Sequence, residues 1–346
     1  MTILITGGAG YIGSHTILEL QELDYDVIVI DNFTNGNQEV VEDILRVPFV
    51  KGDIGDKDLV KKLLSGNHEI NKDKPIDAVI HFAAFAYVGE SCKEPLKYYK
   101  NNVVNNLIFL EEIVNESKLR DYPIPIVFSS SCATYGLPDE LPISESNIQK
   151  PINPYGWTKF VIERALEDFS NVYKLPNIIF RYFNAAGGDP KARIGENHNP
   201  ETHLIPLILQ TISGKRAYFE IYGDDYPTYD GTCIRDFIHV NDLAKAHILG
   251  LKKLLNFREK DNIKSISLNL GNDIGYSIKE VIQVAEKITG KSLNYKVSKR
   301  REGDPPELIA SSTKARELLK WTPQSSDLET IIKDAWAWEK KLNSIL

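Results

Sequence analysis

The sequence predicts an α/β fold, a doubly wound parallel sheet with a smaller mixed α/β lobe, and three observations predict it. Continuous apolar runs, rather than alternating ones, recur along the first half of the chain, as suits strands covered on both faces. Those runs alternate with helical stretches. A glycine-rich turn, Thr6-Gly7-Gly8-Ala9-Gly10-Tyr11-Ile12-Gly13, joins the first strand to the first helix.

The elements follow in order. Ile3-Leu4-Ile5 is the first strand and Ser14 to Leu23 the first helix. Asp26 to Ile30 is a second buried strand that ends at Asp31. Phe49-Val50 leads to Asp53, and a helix runs from Asp56 to Leu64. Ala78 to Phe82 precedes a helix around Lys97 to Glu116. Pro125 to Ser129 precedes a helix carrying Tyr155 to Asp168, and Asn177 to Arg181 is the next strand. After Tyr182 the texture changes. Residues Asn184 to Thr202 are rich in Gly, Pro and Asn without periodicity, which reads as a long functional loop. Helices near Leu204 to Ser213, Asn241 to Leu255, Lys279 to Thr289 and Leu328 to Asn343 follow, with strands near Glu220 to Tyr222 and Ile266 to Leu270. The expected division is a Rossmann domain over 1–182 and a smaller lobe over 183–346 that caps the strand ends. Residues 236–239 and 267–270 are expected to return to the first domain.

Composition narrows the function. Asp and Glu outnumber Lys and Arg by 48 to 41, and the resulting acidic balance argues against nucleic acid as the main partner. Cys92, Cys132 and Cys233 show no paired spacing and read as reduced thiols of a cytoplasmic protein. No signal peptide precedes the first strand, and the apolar run from Ile76 to Gly89 is broken by Asp77 and His81, too short and polar to span a bilayer. None of the seven histidines shows a metal-ligand pattern, so no metal is expected, and His81 reads as a satisfied core residue.

Gly7, Gly10 and Gly13 between a strand and a helix allow a tight turn and close approach of backbone to a pyrophosphate, at a helix N-terminus that favours anions. Asp31, at the end of the second strand, is placed to accept from adenosine ribose hydroxyls and to repel a 2′-phosphate, which favours NAD over NADP. Tyr155 and Lys159 are four apart and share one helix face. A nearby ammonium is expected to lower the tyrosine pKa towards neutrality, so that Tyr155 takes a hydroxyl proton while hydride leaves the same carbon. Ser129-Ser130-Ser131 ends the preceding strand at the usual ligand crevice, where Ser131 can donate to the reacting oxygen.

The sequence resembles the UDP-glucose (UDP-galactose) 4-epimerases of the extended short-chain dehydrogenase/reductase superfamily over nearly its whole length. The marks are the glycine turn, Asp31-Asn32, Gly52-Asp53-Ile54, His81 to Ala84, Tyr98 to Asn102, Ser129 to Gly136 and Pro154 to Lys159. Arg181 to Asn184, Asp224 to Pro227, Asp230 to His239 and Arg300 to Asp304 complete them. The resemblance implies that Ser131, Tyr155 and Lys159 are catalytic. It implies NAD contacts from Gly7, Gly10, Tyr11, Ile12, Gly13, Asp31, Asn32, Asp53, Ile54, Phe82, Ala83, Asn101, Ser129, Tyr155, Lys159 and Tyr182. It places a UDP-sugar on Ser131, Asn184, His203, Leu204, Tyr222, Arg235, Arg301, Asp304 and Leu308. Arginine suits the diphosphate because its fork binds anionic oxygens in pairs.

Three positions depart from the pattern. Ala86 stands where many members carry a lysine near the cofactor, His203 stands where asparagine is frequent, and Leu308 stands where some have tyrosine beside the sugar. The implied reaction interconverts UDP-glucose and UDP-galactose through a 4-keto sugar with NAD regenerated each cycle, and the implied assembly is a homodimer. One alternative is a UDP-N-acetylglucosamine 4-epimerase. Another is a nucleotide-sugar dehydratase or decarboxylase. Cys132-Ala133 fills the place of the dehydratases' Asp-Glu pair and cannot remove a C5 proton. A non-catalytic NAD-sensing protein has little need of an intact Ser/Tyr/Lys set.

Overall fold

The computed structural model describes residues 1–256, 265–301 and 303–345. Glu302, inside one of the motifs above, lies outside the described residues. The strands are β1 (Thr2–Thr6), β2 (Asp26–Asp31), β3 (Phe49–Lys51), β4 (Ala78–His81), β5 (Ile126–Ser131), β6 (Asn177–Tyr182), β7 (Asn184–Ala186), β8 (Phe219–Tyr222), β9 (Ile234–His239), β10 (Ile266–Leu270), β11 (Gly275–Ser277), β12 (Tyr295–Ser298) and β13 (Glu307–Leu308). The helices are α1 (Tyr11–Gln21), α2 (Lys57–Ser65), α3 (Val88–Lys93), α4 (Pro95–Tyr99), α5 (Asn105–Arg120), α6 (Pro154–Tyr173), α7 (Leu204–Ile212), α8 (Val240–Asn256), α9 (Ile278–Thr289), α10 (Thr313–Leu319) and α11 (Leu328–Ile345).

The chain forms two compact units, one of residues 1–136, 149–181 and 244–268 and the other of 137–148, 182–243 and 269–346. The larger is organised on a seven-stranded sheet of order β10-β6-β5-β4-β1-β2-β3. The pairs β1/β2, β1/β4, β2/β3 and β4/β5 are parallel. Every residue of β1 and β5 is buried, which is why Ile3-Leu4-Ile5 and Ile126-Val127-Phe128 are apolar runs without alternation. Leu4, Ile30, Val79, Phe128 and Ile179 from the strands pack with Leu63, Phe109 and Ile162 from the helices. The chain order reverses between β1 and β4, and a ligand of a doubly wound sheet binds beyond the carboxyl ends of the strands at that point.

In the second unit β9 pairs with β11, β13 and β7, while β8 and β12 form a separate parallel pair. Ile208, Ile221, Phe237, Val281 and Ile331 lie in its core. Residues 236–239 therefore do not join the large sheet as the sequence reading expected. The buried Asp236 holds β9 here, because its carboxylate accepts backbone N–H bonds from Asn272, Asp273 and Ala310 at 2.7, 3.0 and 3.1 Å. β10, by contrast, takes the edge of the large sheet. The excursion of 137–148 into the second unit also departs from a boundary at 182. Ile143 N–H donates to Ile309 O, and Ser311 N–H donates to Ile143 O. A single bridging residue leaves no periodic signal.

Helix ends moved where caps decide them. α1 starts at Tyr11, not Ser14, because Gly10 already has the extended backbone of a cap. α6 starts at Pro154, with Asn153 Oδ1 accepting from Gly156 N–H at 2.8 Å. The single helix expected around Lys97 to Glu116 is instead α4 and α5 joined by a π turn at Lys100–Val104. Asn102, in that turn, bonds both the N–H and the C=O of Phe85 at 2.9 Å.

Candidate active site

The glycine turn after β1 fits a dinucleotide. Gly7 has φ +68°, and a Cβ there would lie 2.7 Å from Ala83 N, so the β1 and β4 loops meet backbone to backbone at the switch point. A Cβ on Gly13 would lie 2.5 Å from Gly7 O. Gly10 offers no side-chain cap, which leaves the first turn of α1 to present its N–H groups and its positive dipole end to an anion. Asp31 is buried at the end of β2 and accepts from Ala9 N–H at 3.0 Å and Phe33 N–H at 2.8 Å. Burial pushes its pKa up, and these two donors oppose the shift. Asn32 Nδ2 donates to Asp53 Oδ2 at 3.0 Å, and Asp53 Oδ1 accepts from Gly55 N–H and Asn105 Nδ2 at 2.8 Å each. Ile54 is buried beside them. Phe82 N–H donates to Thr6 O, Ala83 N–H to Thr6 Oγ1, and Asn101 Nδ2 to Asn102 Oδ1. Tyr182 ends β6. Gly7, Gly10, Asp31, Asn32, Asp53, Ile54, Phe82, Ala83 and Ser129 thus lie near the carboxyl ends of strands or in the turns that follow, while Tyr11, Ile12 and Gly13 open α1, Asn101 sits in the π turn before α5, and Tyr155 and Lys159 stand on α6.

β5 and α6 bring the three predicted catalytic side chains together. Ser131 is the last residue of β5, Tyr155 lies in the first turn of α6, and Lys159 lies one turn further. Lys159 Nζ donates to Ser129 O at 2.7 Å and sits 6.0 Å from the centre of the Tyr155 ring. Tyr155 is only 8% exposed. Burial pushes its pKa up to about 12, while the Ser131 hydroxyl, by hydrogen bonding, acts to lower it. Burial pushes Lys159 down to about 7, partly opposed by Glu163. This corrects the expectation that the lysine draws the phenol towards neutrality. Burial is the largest influence on each group, and the Lys159 ammonium is turned to the Ser129 carbonyl.

Sequence reasoning missed what supports the trio. Glu163 continues the 155, 159 spacing by one more turn. It pairs with the buried Arg181 at 2.7 Å and accepts from Ser130 Oγ and from Gln149 Nε2. Arg181 also donates to Tyr135 Oη at 3.1 Å. His247, from α8, bonds Ser129 Oγ at 3.0 Å and packs on Phe82. The i, i+4 spacing was a signal for Glu163; His247 had none. His81 is the satisfied core residue the sequence suggested, bonded to Thr6 Oγ1 and Asn106 Oδ1.

The predicted substrate residues apart from Ser131 lie in the second unit. Asn184 Nδ2 donates to Asp236 O at 2.8 Å. Arg235, on β9, pairs with Asp304, and Leu308 on β13 stands opposite Arg235 in the ladder. The Arg301 guanidinium lies 3.9 Å from the centre of the Tyr222 ring, and Tyr222 Oη donates to Glu220. Leu204 opens α7 and His203 precedes it. The His203 N–H donates to Glu201 Oε1 at 2.9 Å, and its Nδ1 lies 2.7 Å from Glu196 Oε1. That ring is therefore turned to two carboxylates. The structure gathers Glu196, His198, Glu201 and His203 into one group, which the sequence reading did not single out. Their Glu-x-His-x-x-Glu-x-His spacing was the signal.

Comparison with known proteins agrees with this geometry. The profile of the GDP-mannose 4,6 dehydratase family matches residues 4–335. A UDP-glucose 4-epimerase of Halalkalibacterium halodurans is 47% identical over 341 residues, 99% of this chain and 96% of that protein. The chain belongs to the UDP-glucose 4-epimerase family. The broad profile carries the name of a dehydratase, whereas the residues after Ser131 here are Cys132 and Ala133. Two solved structures of the epimerase family match almost end to end. One is the Brucella ovis enzyme in complex with NAD, at 43% identity and TM-score 0.87, covering 97% of each chain. The other is the Stenotrophomonas maltophila enzyme with NAD and formylated UDP-arabinopyranose, at 36% identity and TM-score 0.91, covering 100% of each. As an enzyme of this family the chain is an isomerase on a Rossmann-type fold. Among the described residues no helix is long and apolar enough to cross a membrane.

Proposed function

We propose that the chain interconverts UDP-glucose and UDP-galactose by inverting C4 through a 4-keto intermediate, with NAD retained between turnovers. The observation that carries this reading is the buried Ser131, Tyr155 and Lys159 set, with Cys132 and Ala133 where a dehydratase needs an acid pair. Gly7, Gly10, Tyr11, Ile12 and Gly13 would hold the pyrophosphate. Asp31 and Asn32 would take the adenosine ribose, and Asp53, Ile54, Phe82, Ala83, Asn101, Ser129 and Tyr182 would complete the cofactor contacts. NAD, when bound, supplies a hydride acceptor and donor at C4 and a positive charge beside the phenol. Tyr155 takes the proton from the sugar's O4 and returns it after the keto sugar has turned. Ser131 donates a hydrogen bond to that oxygen as negative charge builds on it. Lys159 is placed to hold the nicotinamide ribose, and Glu163 favours its charged form against burial.

For the substrate we assign Asn184, the N-terminus of α7 at His203 and Leu204, Tyr222, Arg235, Arg301, Asp304 and Leu308. Arg235 is charged and paired with Asp304, so an incoming diphosphate would compete for its fork while Asp304 turns to a ribose hydroxyl. The Rossmann unit would thus serve the cofactor and the second unit the UDP-sugar. Leu96, Tyr99, Val104, Leu107 and Trp157 are exposed apolar residues on and around α4, α5 and α6, and we assign that face to a homodimer contact. Three free thiols, Cys92 among them exposed, fit a reducing compartment, the cytoplasm.

Leu308 favours a second substrate pair. Tyrosine at this place would crowd the C2 side of the sugar, and leucine, partly buried on β13, leaves room for an acetamido group. The wild type is expected to turn over UDP-N-acetylglucosamine and UDP-N-acetylgalactosamine as well as UDP-glucose and UDP-galactose. Leu308→Tyr should lose kcat/KM selectively on the acetamido pair, read by product analysis of all four sugars. An equal loss on both pairs, or a wild type inert towards N-acetylated sugars, would remove Leu308 as the gate. Failure to convert UDP-galactose to UDP-glucose would overturn the proposed function itself.

A further inference from the structure

We propose that Glu196, His198, Glu201 and His203 form a binding site for one divalent transition-metal ion, zinc in preference to magnesium or calcium. The four side chains come from a short segment between β7 and α7. Their ligand atoms, two imidazole nitrogens and two carboxylate oxygens, all lie within 4.8 Å of one another. His198 Nδ1 is 3.4 Å from Glu196 Oε1 and 3.6 Å from Glu201 Oε2. His203 Nδ1 is 2.7 Å from Glu196 Oε1 and 3.2 Å from Glu201 Oε1. A tetrahedral ion with metal–ligand bonds of about 2.0–2.2 Å sets its ligands about 3.3–3.6 Å apart. Three of these four separations are already there or within about a tenth of an ångström, and the remaining ligand pairs lie within 4.8 Å, so modest side-chain shifts would bring the four donors around one ion.

The chemistry of the donors selects the ion. Two imidazoles with two carboxylates suit zinc and its first-row neighbours, whereas calcium and magnesium call for oxygen alone. Two carboxylates and two neutral imidazoles around a dication also leave no net charge in a buried place. Glu201 Oε2 is buried and faces His198 Nδ1 at 3.6 Å, a separation an ion between them would bridge. Glu201 Oε1 is fixed by the N–H groups of Thr202 and His203 at 2.7 and 2.9 Å, the outer-shell support a ligating carboxylate needs. Trp338 Nε1 donates to Glu196 O at 2.9 Å and ties the segment to α11. The side chains of Glu196, His198 and Glu201 are 6, 14 and 4% exposed, while that of His203 is 44% exposed and leaves a way in. An ion here would fasten the segment that leads directly into α7. The consequence for substrate rests on the proposed function; metal binding itself does not.

The test uses the untagged full-length protein with whatever dinucleotide it carries, dialysed against a chelator and titrated with zinc chloride by calorimetry, with bound metal counted by mass spectrometry. One zinc per chain is expected, together with a rise in Tm on zinc addition. Cobalt in its place should give the visible bands of a tetrahedral nitrogen and oxygen site, without sulfur-to-metal charge transfer. His198→Ala and Glu201→Gln should each weaken zinc binding by about 100-fold or more. Glu201→Gln keeps the side-chain shape and serves where His198→Ala does not fold. Absence of stoichiometric zinc, affinity unchanged in the folded variants, or a cobalt spectrum showing thiolate ligation through Cys92, Cys132 or Cys233 would overturn the site.

Discussion

Tyr155→Phe is expected to lower kcat on UDP-galactose by about a hundred-fold to ten-thousand-fold, the usual worth of a positioned acid–base group. The substitution removes one oxygen and keeps the ring. Tyr155 is buried in the first turn of α6, and the Asn153 cap and the hydrogen bond from the Tyr155 N–H to Ser91 Oγ do not depend on the phenol. Dinucleotide content and Tm should therefore stay close to wild type while turnover collapses. The loss should appear equally in kcat and kcat/KM, because the proton is moved only as the reaction proceeds. Ser131→Ala should be slower too, since its hydroxyl acts on the same oxygen and lowers the Tyr155 pKa. Steady-state kinetics with a coupled UDP-glucose assay reads both. Turnover within a few-fold of wild type in Tyr155→Phe would remove the phenol from the mechanism.

Arg181→Met should produce the largest loss of stability of any single change around the site. The Glu163 side chain is 1% exposed and that of Arg181 4%, and the two are joined at 2.7 Å. Removing the guanidinium strands a buried carboxylate, a change that costs about 3–5 kcal/mol, whereas replacing both members by apolar groups of similar size is far milder. Urea denaturation of Arg181→Met, Glu163→Leu and the double variant should show each single change more damaging than the pair together. A double variant as unstable as the sum of the singles would show that the ion pair is not the unit that matters. The electrostatics add a kinetic sign. Glu163 raises the pKa of Lys159, which burial otherwise depresses to about 7, so Glu163→Gln should discharge the ammonium at lower pH. The alkaline limb of the kcat profile then moves down in pH.

Much of the large sheet and its turn was legible because continuous apolar runs and the placing of glycines decide them. The apolar runs at Ile3-Leu4-Ile5 and Asp26 to Ile30 became adjacent strands, and glycine at 7 and 13 marked where backbone must touch backbone. The Tyr155–Lys159 pair was legible because four residues make about one helical turn. What stayed hidden depends on distance in sequence or on burial. β9 was misassigned because its partners β7, β11 and β13 come from three separate stretches and Asp236 holds it through backbone donors far along the chain. The π turn at Lys100–Val104 has no apolar signature. The Tyr155 and Lys159 pKa shifts run opposite to an argument from proximity because water exclusion around α6 appears only once the chain is folded. The Glu196 to His203 segment has its ligand types in view, yet without a fold nothing says that four side chains turn to one point.

The central claim is that C4 of the sugar is oxidised and reduced again within one site by a cofactor the chain keeps. Purified protein, with no nucleotide added, should be given UDP-galactose in heavy water and the UDP-glucose formed examined by mass spectrometry and NMR. The account predicts turnover without added NAD, ordinary hydrogen retained at C4, and no deuterium at C5. Activity strictly dependent on added dinucleotide, NADP rather than NAD released on denaturation, or deuterium at C5 with loss of water would contradict it.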